Sequence, residues 1–165
     1  MQPSERILPL FPLNTVVFPG VSIPLQIFEN RYKRLLQDCL ATDSKFGIVL
    51  IKNGTEVGEP AESYSTGTIV QIIHTNEIDG GRFILSATGI QRFAIREILQ
   101  RRPYISARVE LLFEDQDAWF PITEMEVIRR AFTKYSSLVS GLTGGWVRQA
   151  RGSSDPAAFS YQIAG

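Results

Sequence analysis

Four prolines, Pro9, Pro12, Pro19 and Pro24, punctuate an apolar opening and constrain the fold of this chain more than any other feature. Proline has no N–H to give to a ladder and holds φ fixed, which argues against central strands across residues 7–28. Short or edge strands joined by fixed turns are expected, in runs such as Val16-Val17-Phe18 and Leu25-Gln26-Ile27-Phe28. From Glu29 the period changes. Tyr32, Leu35, Leu36, Cys39 and Leu40 recur at helical spacing, with Arg31, Lys33, Arg34, Gln37 and Asp38 between them, which predicts one amphipathic helix. Cys39 on that apolar stripe reads as a core residue.

Strand patterns follow. Phe46 to Ile51 is a continuous apolar run, closed by Asn53-Gly54, which reads as a tight hairpin turn rather than a glycosylation site. Gly67–Glu77, Arg82–Ala87, Ile90–Leu99 and Tyr104–Phe113 are β-branched or alternating. About six short strands with one inserted helix describe a curled β domain, a closed or half-open barrel. Beyond the acidic stretch Glu114-Asp115-Gln116-Asp117, Pro121 opens a helix carrying Ile122, Met125, Ile128, Phe132, Tyr135, Leu138 and Val139 on one side and ending near Gly141. Asp155-Pro156 has the order of a helix start, and the stripe begun by Phe159 and Ile163 stops at Gly165. So short a helix needs partners, and the helical part is expected to be truncated.

Composition narrows the function. With 17 basic and 17 acidic residues among 165, no global field draws nucleic acid or an anionic membrane. The start Met1-Gln2-Pro3-Ser4-Glu5-Arg6 lacks the order of a secretory signal, and no window approaches the ~18 apolar residues of a membrane span, so a cytoplasmic location and no membrane partner are expected. One cysteine excludes a disulfide framework. There is no phosphate-binding loop and no dinucleotide, zinc-protease or calcium-loop motif, so neither cofactor nor metal is expected. His74 reads as a sheet residue, and Glu114, Asp115 and Asp117 as a solvated acidic connection. Arg92, Arg96, Arg101, Arg102 and Arg108, with Phe93 and Tyr104 nearby, form the one locally basic stretch.

The string Leu8-Pro9-Leu10-Phe11-Pro12-Leu13, then Val17-Phe18-Pro19-Gly20 and Ile23 to Glu29 running into Arg31-Tyr32, resembles the substrate-binding amino-terminal domain of the Lon protease family. The likeness continues through Phe46–Leu50, Gly54–Gly58, Gly67-Thr68-Ile69, Asp79–Arg82, Gly89 with Arg92-Phe93, and Tyr104 with Ala107. Residues 27–32 and 46–51 look like the short freestanding bacterial-type members, which lack the ATPase and peptidase domains. The resemblance implies an α+β fold: a six-stranded PUA-like β-barrel lobe with one inserted helix over residues 1–116, then an α-helical lobe over 117–165. It implies non-catalytic recognition of protein or peptide segments, adaptor-like in proteolysis or quality control. The partners would be unfolded or peptide-like segments and a protease or chaperone machine. The alternative is RNA or nucleotide binding through the barrel.

No catalytic residue is carried over by the resemblance. Glu29 and Arg31 are expected to pair or to cap the helix start. The candidate peptide contacts are Val17, Phe18, Pro19 and Val21, where apolar groups crowd a loop too short to bury them all. The competing reading has Phe18 plugging the barrel end.

Overall fold

Pro9 and Pro12 lie inside a single strand, β1 (Glu5–Leu13), and its change of partner makes them tolerable. β1 runs antiparallel to β6 (Ile105–Leu112) from Glu5 to Leu10, then parallel to β3 (Lys45–Asn53) from Leu10 to Leu13. Each proline therefore sits where β1 has one strand neighbour, and its missing donor can fall on the unpaired side.

The computed structural model describes residues 5–58, 61–113, 121–142 and 152–164, and the chain divides into two units, 1–113 and 114–164. The first unit adds β2 (Ser22–Ile27), α1 (Asn30–Leu40), β4 (Glu62–Ile78) and β5 (Arg82–Gln100). The six-stranded mixed sheet has the order β2-β5-β4-β3-β1-β6, and a further β5–β6 pairing closes a ring of five strands. β2 lies outside that ring, along the first half of β5. Two expected strands, Arg82–Ala87 and Ile90–Leu99, are one 19-residue strand. Gly89 does not break it, because the glycine admits the backbone of the 17–21 loop: a Cβ there would lie 2.3 Å from the Phe18 carbonyl oxygen.

The expected Asn53-Gly54 hairpin is also corrected. Asn53 pairs with Glu62, and an eight-residue connection separates β3 from β4. Gly54 has φ +104°, whereas Asn53 lacks the second positive φ that the tight turn requires.

Two apolar clusters hold this unit. Phe93, with Leu10, Val49, Ile69, Ala107 and Val109, fills the ring interior. Its ring rests on Gly47 and Gly67, where added Cβ atoms would come within 2.7 and 2.6 Å of it. In the other cluster Tyr32, Leu35, Leu36 and Cys39 of α1 pack on Phe11, Ile27, Phe46 and Leu85. Leu40 departs from the expected stripe: it is the last residue of α1 and is exposed.

In the second unit α2 (Ile122–Leu142) and α3 (Pro156–Ala164) meet at Phe159, whose ring stands edge-on to Phe132 at 5.4 Å. The Arg129 guanidinium lies 4.7 Å from the Phe159 ring and donates to the carbonyls of Gly152 and Ser153. Asp155 caps α3 as expected, its carboxylate accepting from Ala158 N–H at 2.7 Å. Most of the α2 stripe is exposed, including Ile122, Tyr135 and Leu138.

Candidate functional site

Where β2 hands over to α1, the chain builds a cleft of about 160 Å³. β1 contributes Phe11 and Leu13, and β2 contributes Pro24, Leu25 and Gln26. Phe28, Glu29 and Tyr32 come from the strand-to-helix junction, and Glu56 and Val57 from the β3–β4 connection. Its floor is fixed: Phe11 and Tyr32 stack at 4.1 Å between centroids, and both are buried. Its rim carries two apolar side chains that the fold leaves open, Phe28 at 47% exposure and Val57 at 54%.

Polar contacts hold the wall formed by residues 54–58. Glu29 accepts from the Gly58 N–H at 3.3 Å and from Arg31 Nη2 at 3.3 Å. Arg31 Nη2 also donates to the Glu56 carbonyl at 3.1 Å, and the Asn14 N–H donates to Glu56 Oε1. Arg31 Nε lies 3.1 Å from Glu29 Oε2, yet its N–H is not aimed along that line and makes no hydrogen bond. The guanidinium instead covers the Tyr32 ring at 4.4 Å from its centroid. Burial pushes the Tyr32 hydroxyl up to about 12, with Glu29 and Glu56 adding to the shift and Arg31 opposing it. Glu29 and Arg31 thus pair as expected. The α1 cap is made by the Glu29 carbonyl, which accepts from Tyr32 and Lys33 N–H, with no side-chain cap bond.

The candidate contacts from the sequence lie at the other end of β2. Val17 is 3% exposed and part of the core, its carbonyl accepting from the Thr68 hydroxyl at 2.6 Å. Phe18, Pro19 and Val21 are partly exposed. Pro19 and Gly20 form the centre of a tight turn, with Val21 N–H donating to the Phe18 carbonyl at 3.1 Å and Gly20 at φ +82°. Gly20 N–H and Gly89 N–H tie this loop to β5 through the carbonyls of Gly89 and Val21, at 2.8 and 2.9 Å. The structure therefore gathers Phe18, Pro19 and Val21 before β2 and buries Val17. Phe28, Glu56 and Val57 were missed as site residues, although Phe28, next to Glu29 at the change of period, carried a signal.

Cys39, His74 and the basic stretch are not among the residues that line the cleft. Cys39 is 1% exposed, donates to the Lys45 carbonyl, and has its thiol pushed up to about 12 by burial and by Asp43 and Asp38. His74 is an exposed residue of β4. In the basic stretch Arg96 pairs with Glu110 and Arg108 with Glu97, while the Phe93 ring is fully buried and offers no face for a base to stack on. Glu114, Asp115 and Asp117 lie outside the described residues. Among the described residues no group of three or more His, Cys, Asp or Glu could hold a metal ion, and no helix is long and apolar enough to cross a membrane.

Residues 7–165 match the family described as the ATP-dependent protease La (LON) substrate-binding domain. A Lon protease of Syntrophus aciditrophicus is 34% identical over 115 residues, covering 67% of this chain and 15% of that protein. One from Dictyoglomus thermophilum is 30% identical over 140 residues, covering 84% and 18%. The chain thus spans less than a fifth of these curated relatives. The crystal structure of a Lon N-terminal domain protein from Xanthomonas campestris superposes with a TM-score of 0.67 at 25% identity, over 96% of this chain and 97% of that one. The N-terminal domain of a Mycobacterium avium complex Lon protease shares the fold, with a TM-score of 0.66 at 19% identity, over 95% and 81%.

Proposed function

Because the chain belongs to the LON substrate-binding domain family, we propose that it recognises extended polypeptide segments without transforming them, in an adaptor-like role within proteolysis or protein quality control. The observation that carries this reading is the cleft beside β2. Its 160 Å³ is well below the roughly 300–1,000 Å³ of pockets that enclose a cofactor or drug-sized ligand, and suits one or two apolar side chains. Phe28 and Val57 supply the open apolar rim, and Phe11 and Tyr32 the rigid floor.

β2 also sets how a segment docks. Gly89 N–H donates to the Val21 carbonyl, so by antiparallel alternation Ile23, Leu25 and Ile27 face β5, while Ser22, Pro24 and Gln26 turn their backbone groups outward. Pro24 removes the central donor of that outward row. A strand added here would gain few backbone bonds, which also protects the edge from indiscriminate pairing. Recognition rests on side chains entering the cleft and on contact with Phe18, Pro19 and Val21 at the far end of β2. The six residues of β2 span ~20 Å, so both ends are within reach of one short extended segment. Binding is weak and tolerant of sequence.

Fluorescence anisotropy of labelled casein, without nucleotide, tests this. Phe28→Ser and Val57→Ser alter exposed side chains and should leave the melting temperature nearly unchanged. Each should weaken binding by roughly threefold to tenfold, the equivalent of up to ~1.4 kcal/mol of lost apolar contact. Unaltered binding by both variants would remove the cleft from the reading.

A further inference from the structure

Among the described residues the cleft lining contains two carboxylates, Glu29 and Glu56, and no lysine or arginine, in a chain with 17 residues of each charge. The neighbouring cation, Arg31, is committed to Glu29, to the Glu56 carbonyl and to the Tyr32 ring, with its side chain only 14% exposed. Glu29 is engaged in the same network through both oxygens. Glu56 differs: Oε1 accepts from Asn14 N–H, and Oε2 accepts no hydrogen bond from any described residue. Among the described residues, the Arg31 guanidinium against the Glu29 and Glu56 carboxylates leaves a balance of −1 beside an apolar floor, with an acceptor available at the rim.

We infer that the cleft selects polypeptide segments in which an apolar side chain is flanked by lysine or arginine, the apolar group entering between Phe28 and Val57 and the cation pairing with Glu56. This rests on the proposed recognition function and adds the chemistry of the preferred segment. The neutral chain as a whole gives no long-range pull on a basic peptide, so the preference comes from the cleft. A rim-exposed ion pair discriminates modestly, by roughly threefold to fivefold over an acidic flank at low salt.

Three labelled peptides test the inference: each has a Gly-Ser backbone and one central Leu, flanked by Lys, by Ser or by Glu. The Lys-flanked peptide should bind tightest and the Glu-flanked one weakest. Their affinity ratio should fall towards one in Glu56→Gln, whose amide oxygen can still accept from Asn14 N–H. It should also fall towards one in the unsubstituted chain at 1 M salt, where the screening length is ~3 Å. The salt titration decides the matter if the variant fails to fold. Equal affinities, an acidic preference, or a ratio that persists in high salt would overturn the charge selection while leaving polypeptide recognition standing, provided the Ser-flanked peptide binds. Absence of binding by all three peptides would overturn both.

Discussion

At Gly67 the chain has no room for a methyl group. A Cβ would sit 2.4 Å from the Ile48 carbonyl oxygen and 2.6 Å from the Phe93 ring, and neither the β3 backbone nor a fully buried ring can move aside cheaply. Gly67→Ala should therefore cost about 1–3 kcal/mol, read as a lower denaturation midpoint. A midpoint equal to that of the unsubstituted chain would refute the packing argument. Three buried or half-buried acids make a second test. Burial raises the Cys39 thiol, the Tyr32 hydroxyl and the Tyr104 hydroxyl to about 12, the last aided by its bond to Asp38. Each folded pKa lies above the ordinary value, so the neutral form is favoured by folding. That contribution is complete below about pH 9 and is lost as pH rises towards 12. The melting temperature should fall over that window, and the Tyr32 and Tyr104 phenols should ionise later than exposed tyrosines. Early ionisation of all the tyrosines, with flat stability, would contradict these placements.

Among the elements, those with a strong period or a named cap were legible in the sequence. Tyr32, Leu35, Leu36 and Cys39 mark α1 by their spacing, and Asp155-Pro156 marks the start of α3. The prolines signalled one-sided strands, but not that β1 would change partner at Leu10. Gly89 divides the strand pattern in the sequence and suits a bend or a close backbone approach; the structure shows the approach, with the 17–21 loop in the space a Cβ would take. That a segment could come there was legible, but not which one. α3 is nine residues long and too short to persist alone, so its order depends on Phe159 against Phe132 and Arg129. Phe159→Ala should abolish hydrogen-exchange protection in α3 while protection in β3, β4 and β5 remains. Equal loss throughout the barrel, or none in α3, would contradict this assignment.

For the whole molecule, the resemblance carried by motifs across about residues 7–114 located the fold and the family, and composition excluded a global charge field. The cleft was not legible. Its walls come from β1, β2, the start of α1 and the β3–β4 connection, and only the closed sheet brings Phe11, Phe28 and Val57 together. The Val17–Val21 loop drew attention because crowding of apolar groups is visible locally, whereas the burial of Val17 is not. The central claim is that polypeptide is gripped along β2 and left intact. Amide chemical-shift mapping of the isotope-labelled chain, titrated with unfolded casein, tests it most directly. The account predicts saturable shifts at Phe18–Val21, Leu25–Tyr32 and Glu56–Gly58, with the casein recovered uncut. Shifts confined to α2, or to the Arg92–Arg108 stretch, would contradict it, as would cleavage of the casein.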